Sequence, residues 1–163
     1  YEINEIRVYE CTNFPMKWVY KKTILKGFPA VDTLIFKKNR YWYLITNIDS
    51  TNSCDFSSEL YCYYTKNKSP ITKNWIAHSQ NPILYNANFA RNGGLINYQN
   101  SLFRVSQNIN FDKYGEGFQL RKIVKISPSF YAEKNLNLKL NLFNKSHHLS
   151  YANGLISFDI KNN

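Results

Sequence analysis

A chain of 163 residues can bury one substantial core, and 13 Tyr, 11 Phe and 3 Trp exclude a disordered tail in favour of a strand-rich domain. The formal charge of +10 points to anionic partners, yet the lysines are scattered (Lys21-Lys22, Lys37-Lys38, Lys66, Lys68, Lys73), so specific nucleic-acid binding is not expected. There is no apolar span of 18 residues and no signal-peptide core, so no membrane-crossing segment is predicted.

Taken in chain order, residues 5–9 and 17–25 read as outer strands of a sheet that precedes the main repeat. Residues 31–36, a polar turn at 37–40 and residues 41–48 form a hairpin of β-branched and aromatic residues. A third strand is expected at 59–64 and a short fourth at 75–78, near a rim. The same grammar returns at 94–97, a turn at 98–100, and 101–107, followed by a long alternating strand at 117–126 and a last one at 130–142. A third copy begins at His148, with strands at 148–151 and 155–160 around Asn153-Gly154.

The three hairpins start near Asp32, Arg91 and His148, 59 and 57 residues apart. A period of this size holding about four strands is the blade unit of a β-propeller, a sandwich or meander being the competing architecture. The predicted fold class is therefore all-β, an incomplete propeller of about three blades made of four-stranded antiparallel sheets. Residues 1–29 would end a preceding blade, 30–88 and 89–146 would be blades, and 147–163 would start the closing one. Closure needs at least four blades, so the expectation is a piece of a larger propeller, a self-associating chain or an open stack of sheets. A first residue that is Tyr, not Met, agrees with the first of these.

Several motifs bear a resemblance. The string from Asp32 through Arg40-Tyr41-Trp42-Tyr43-Leu44-Ile45 resembles the first hairpin of furanosidase-type five-bladed propellers, with Asn39 in place of the usual turn glycine. Ser58-Glu59-Leu60-Tyr61 leading to Trp75-Ile76-Ala77-His78 and Asn81-Pro82 is one further match. Ala90-Arg91-Asn92-Gly93-Gly94 with Leu102-Phe103-Arg104-Val105-Ser106-Gln107 is another, and Tyr114-Gly115-Glu116 running to Tyr131-Ala132-Glu133 is the last. Together they resemble a propeller module related to family 43 glycoside hydrolases, found in the N-terminal part of glucosamine inositolphosphorylceramide transferases and in formyltransferase-linked relatives. That resemblance implies a role in glycan biosynthesis, a carbohydrate partner that is anionic or nucleotide-linked, and a transferase domain elsewhere in the full-length protein. It also departs from the family pattern: Val105-Ser106 replaces Pro-Ala and Asn108 stands where Asp is common. The first blade, which carries the catalytic base in the glycosidase relatives, is not represented.

Propeller ligands meet inner strands around a central channel, so the hairpin starts supply the candidate residues. The ligand-binding set is Asp32, Arg91, Asn92, Arg104, Gln107, Tyr114 and His148, and the carboxylates available for catalysis are Asp32 and Glu59. Asp32 is either a channel carboxylate or a turn residue accepting backbone N–H groups. Arg91, followed by Gly93-Gly94, could clamp an anion or form an internal salt bridge with Asp32 or Asp112. Arg104 and Gln107 are an odd number of residues apart and would face opposite sides of a regular strand, so they need not share a site unless a bulge changes the alternation. Glu133, on an outer strand, is read as a structural pairing partner. Trp42 and Trp75 are read as packing residues before sugar platforms. His147-His148 is a poor metal signal, so no metal and no cofactor are expected. The odd number of cysteines (Cys11, Cys54, Cys62) fits a reducing compartment such as the cytoplasm. A glycan-recognition or glycan-positioning module is the leading function. Part of a glycoside hydrolase and a structural or protein-binding β domain are the alternatives.

Overall fold

The computed structural model describes residues 3–109, 117–138 and 146–160. Among them every regular element is a strand. The sheets follow one another along the chain, each antiparallel and each built from consecutive strands. The first is a hairpin of β1 (Glu5–Asn13) and β2 (Lys17–Lys26). The second joins β3 (Ala30–Lys38), β4 (Tyr41–Ile48) and β5 (Glu59–Thr65), with β6 (Ile76–Ala77) and β7 (Leu84–Tyr85) both paired to β5. The third orders β8 (Asn92–Tyr98), β9 (Ser101–Gln107), β10 (Phe118–Ser127) and β11 (Phe130–Asn135) side by side. The last is the hairpin of β12 (Leu149–Ala152) and β13 (Leu155–Phe158).

The turns are where the sequence placed them, and their chemistry explains why. Gln99 and Asn100 both adopt positive φ, as do Asn153 and Gly154, the geometry of two-residue hairpin loops whose twist matches the flanking strands. Asn39 does the same at φ 54 without the expected glycine, since Asn tolerates the left-handed region.

Alternation then stacks the sheets. Along β4, Tyr43 and Ile45 point to one core while Leu44 and Ile48 point to another. The second core is closed by Ile24, Ile6 and Val8 of the first hairpin. The first core is closed by Leu102, Ile123 and Ile126 of the third sheet. A third core, of Val105, Phe118 and Leu149, lies between the third sheet and the last hairpin. Leu44, Ile45, Leu60 and Val105 have no exposed surface, and each such burial stabilises by about 1.5–3 kcal/mol before chain entropy is counted. Inner strands touch in series, β3 against β8 and β8 against β12, which is the contact pattern of blade-like sheets fanned about their inner edges.

Two expectations need correction. The last strand of the third sheet stops at Asn135, with 136–138 irregular and 139–142 outside the described residues. The Asn135 side chain accepts the Asn137 N–H at 3.0 Å and Asn137 takes φ 51, a turn that ends the ladder. The single fourth strand of the second sheet is two short pieces, β6 and β7. Between them the Asn81 carboxamide substitutes for backbone, donating to Cys62 O and accepting from Cys62 N–H, each at 2.8 Å.

Candidate functional site

Asp32, Arg91, Asn92, Arg104 and Gln107 gather where β3 and β8 meet. Both strands are irregular there: the ladder slips between Val31 and Leu34 on β3 and between Asn92 and Gly94 on β8. Bulges of this kind re-aim side chains that a regular strand would bury in alternation. Asp32 sits in the first slip at φ 52, its side chain one-third exposed. Arg91 precedes the second and donates its Nε–H to Asp32 Oδ2 at 2.8 Å. Gly94, at φ 144, lies so close to the Leu149 carbonyl that a Cβ could not be accommodated, which lets β12 approach β8.

Beneath the pair lies a buried polar scaffold. Asn92 donates through Nδ2 to Asp32 O at 2.9 Å, and its own N–H goes to Asn47 Oδ1 at 2.9 Å. Asn47 returns Nδ2–H bonds to Glu59 O and Ala90 O at 2.9 and 3.1 Å, so one carboxamide ties three chain segments together. Gln107 donates to Asn92 O at 2.6 Å and reaches Asp32 Oδ2 at 3.5 Å. Its Oε1 is buried with no donor among the described residues, an acceptor left over beside the Asp32–Arg91 pair.

Arg104 is fully buried one layer further in. Its guanidinium donates to Phe89 O at 2.8 Å, to Ala90 O at 3.1 Å, to Asn92 Oδ1 at 3.3 Å, and to both oxygens of Glu133 at 2.8 and 2.9 Å. Glu133 also accepts the Tyr131 hydroxyl at 2.6 Å and the Arg121 Nε–H, while Arg121 lies 4.0 Å over the Phe89 ring. Burial alone would raise the Glu133 carboxyl, but the hydrogen bonds and charge of Arg104, with help from Tyr131 and Arg121, hold it below its ordinary value. Burial opposes the Arg104 charge too, yet Glu133 outweighs it and keeps the guanidinium ionised. Burial, reinforced by the Glu133 charge, pushes the Tyr131 phenol far up. A carboxylate engaged by two guanidiniums and a phenol acts as an anchor.

The structure thus brings Asp32, Arg91, Asn92, Arg104 and Gln107 into one connected network. Arg104 and Gln107 were expected on opposite faces, and both reach Asn92, one from below its side chain and one at its carbonyl. Long side chains converge on a bulged neighbour even when their Cβ atoms diverge. Glu59 contributes its backbone carbonyl to the network, while its carboxylate accepts the Tyr61 hydroxyl at 2.9 Å. His148 is exposed at the start of the last hairpin, and its N–H donates to Asp159 Oδ1 at 2.7 Å. Asp159 also pairs with the His147 ring. Partial burial opposes its charge, but the His148 and His147 N–H groups hold it below the usual carboxylate range. Tyr114 and Asp112 lie outside the described residues. Asn47 was missed: an Asn inside a strand carries no sequence signal, because its role depends on Ala90, 43 residues away. Among the described residues no group of three or more His, Cys, Asp or Glu is arranged to hold a metal ion, and no helix is long and apolar enough to cross a membrane.

Residues 1–161 match the family model described as "Glucosamine inositolphosphorylceramide transferase 1, N-terminal". The rice (Oryza sativa subsp. japonica) glucosamine inositolphosphorylceramide transferase 1 is 31% identical over 137 residues, covering 82% of this chain and 18% of that protein. The Arabidopsis thaliana protein of the same name is 32% identical over 148 residues, covering 88% of this chain and 19% of its own. The chain therefore spans less than a fifth of the length of these relatives. No solved structure matches it.

Proposed function

Since the chain belongs to the family of the N-terminal region of glucosamine inositolphosphorylceramide transferase 1, we propose that it serves glycan biosynthesis as a carbohydrate-recognising or carbohydrate-positioning module. The transferase chemistry would reside in a domain elsewhere in the full-length protein. The observation that carries this is the Asp32–Arg91 pair, held at two facing bulges above an amide scaffold with the Asp32 carboxylate one-third exposed. A carboxylate accepts sugar hydroxyls and a guanidinium recognises phosphate or carboxylate groups, so the pair suits an anionic or nucleotide-linked glycan.

In this reading the sheets are blades of a furanosidase-like five-bladed propeller. Residues 30–88 and 89–146 form two of them, 147–163 open a third, and 1–29 end the preceding one. Asp32, Arg91, Asn92, Gln107, Tyr114 and His148 belong to the ligand side, with Arg104 beneath them. A glycoside hydrolase would need a second carboxyl group about 5–9.5 Å from the first. With Asp32 engaged by Arg91, Glu59 by Tyr61, and Glu133 by two arginines, binding is the better-supported role.

The test is calorimetric titration of the protein carrying this segment with inositol-phosphate-linked oligosaccharides and nucleotide sugars. The Asp32→Asn and Arg91→Gln forms should each lose about tenfold in affinity, the worth of one charge-assisted hydrogen bond. Unchanged affinity in both would overturn the proposal.

A further inference from the structure

The seam between the second and third sheets opens again at the far ends of the same strands. From Asp32 to Lys38, six residues along β3, the distance is about 20 Å. Two hollows adjoin there. One, of about 410 Å³, is lined by Tyr41, Tyr64, Lys66, Asn74 and Ile76, with Pro128 from the facing sheet. The other, of about 320 Å³, includes Lys38, Asn100, Ile123 and Ile126. Lys38 and Tyr41 are cross-strand partners, as are Tyr64 and Ile76, so a single floor crosses the end of the second sheet. Tyr64 and Lys66, two apart on one extension of β5, share its face.

Two features of this floor point to a ligand. Cations gather at its rings: Arg40 and Lys66 stand 5.3 and 5.8 Å from the centroid of Tyr41, and Tyr64 meets Tyr41 edge to face at 5.7 Å. The walls also hold no acid. There is no Asp or Glu between Asp32 and Asp49, between Glu59 and Asp112, or between Glu116 and Glu133. Among the described residues neither Lys38 nor Lys66 pairs with a carboxylate, and Lys38 donates to Asn100 O at 3.4 Å. An aromatic and aliphatic floor takes the C–H face of a sugar ring, and uncompensated ammonium groups take an anionic substituent. The volume lies in the range of small-ligand sites.

We propose that this seam is a second binding site, separate from the Asp32–Arg91 pair, for a phosphorylated sugar. The ring lies against Tyr41 and Tyr64, the phosphate is taken by Lys66 with Lys38 adding to the positive field, and the Asn74 carboxamide serves the hydroxyls. A single-stranded nucleic acid would need a basic path several nucleotides long with successive stacking platforms, which two short hollows do not offer.

The experiment is an isothermal titration of the protein carrying this segment with glucose 6-phosphate, glucose, inorganic phosphate and a short single-stranded oligonucleotide, in parallel with Lys66→Gln and Asp32→Asn forms. Lys66 is exposed, so its replacement leaves the fold intact, as circular dichroism would verify. Glucose 6-phosphate should bind at least about tenfold more tightly than glucose or phosphate alone, and Lys66→Gln should weaken it about tenfold. The component of binding that Lys66→Gln removes should persist in Asp32→Asn, so failure here and failure at the other site are distinguishable. Equal binding of inorganic phosphate would reduce the seam to an anion site and overturn the proposal. So would tighter binding of the oligonucleotide, or indifference to Lys66→Gln.

Discussion

Glu133→Gln removes one negative charge from a cluster that otherwise holds two guanidiniums, and the outcome can be worked from the contacts. In the native protein Glu133 accepts from Arg104, Arg121 and Tyr131, and the side chains of Arg104 and Glu133 are 0% and 2% exposed. Gln keeps the shape but leaves the Arg104 charge without its counter-ion in a place water does not reach. Orphaning one member of a buried pair costs about 3–5 kcal/mol. Against a total stability of about 5–15 kcal/mol that is a large fraction, and at about 2–4 °C per kcal/mol it lowers the melting temperature by roughly 6–20 °C. Urea denaturation followed by circular dichroism measures the difference. The double form Arg104→Met, Glu133→Leu should recover most of it, because replacing both charges by apolar groups removes the desolvation cost along with the attraction. Acid supplies a second readout. The folded Glu133 carboxyl lies below its ordinary value of 4.5, so its contribution is complete above that pH and is lost as pH falls through the folded value. The native protein and Glu133→Gln should therefore converge in stability at low pH. A loss below about 1 kcal/mol at neutral pH, or a gap that persists in acid, would refute the argument.

Gly94→Ala should destabilise by at least about 2 kcal/mol, from positive φ and from the clash with the Leu149 carbonyl. Hydrogen exchange should show the damage first in β8 and β12; an Ala form as stable as the native protein would contradict the close packing of those strands. The Cys62 thiol is fully buried and pushed up to about 12 by burial, whereas Cys54 is exposed. At pH 8 a thiol reagent should modify Cys54 within minutes and Cys62 only on unfolding, and mass spectrometry of the peptides distinguishes them.

Much of the strand inventory was legible because it rests on local physics. Asn39, Gln99-Asn100 and Asn153-Gly154 announce reversals through the residues that tolerate positive φ, and the aromatic and β-branched runs beside them alternate with the pleat. The split between β6 and β7 was not legible, since Asn81 completes a ladder by imitating backbone. Asp32 and Arg91 could be nominated from their positions at hairpin starts. An internal salt bridge between them was one of two readings the sequence allowed, and two bulges across a 59-residue separation decide that it forms. Arg104 and Gln107 leave β9 at an odd spacing yet both reach Asn92, since alternation describes Cβ atoms and not the reach of a long side chain.

What the sequence by itself determined is the all-β class, the hairpin turns and the spacing of successive sheets, because propensity, turn chemistry and period-two patterning act over a few residues. Only the tertiary structure decided which polar groups share an environment. Asn47 joins Glu59 to Ala90, and Glu133 neutralises Arg104 from 29 residues away. Such contacts arise when stacked sheets exclude water and a buried charge must find whatever partner the packing brings within hydrogen-bond distance.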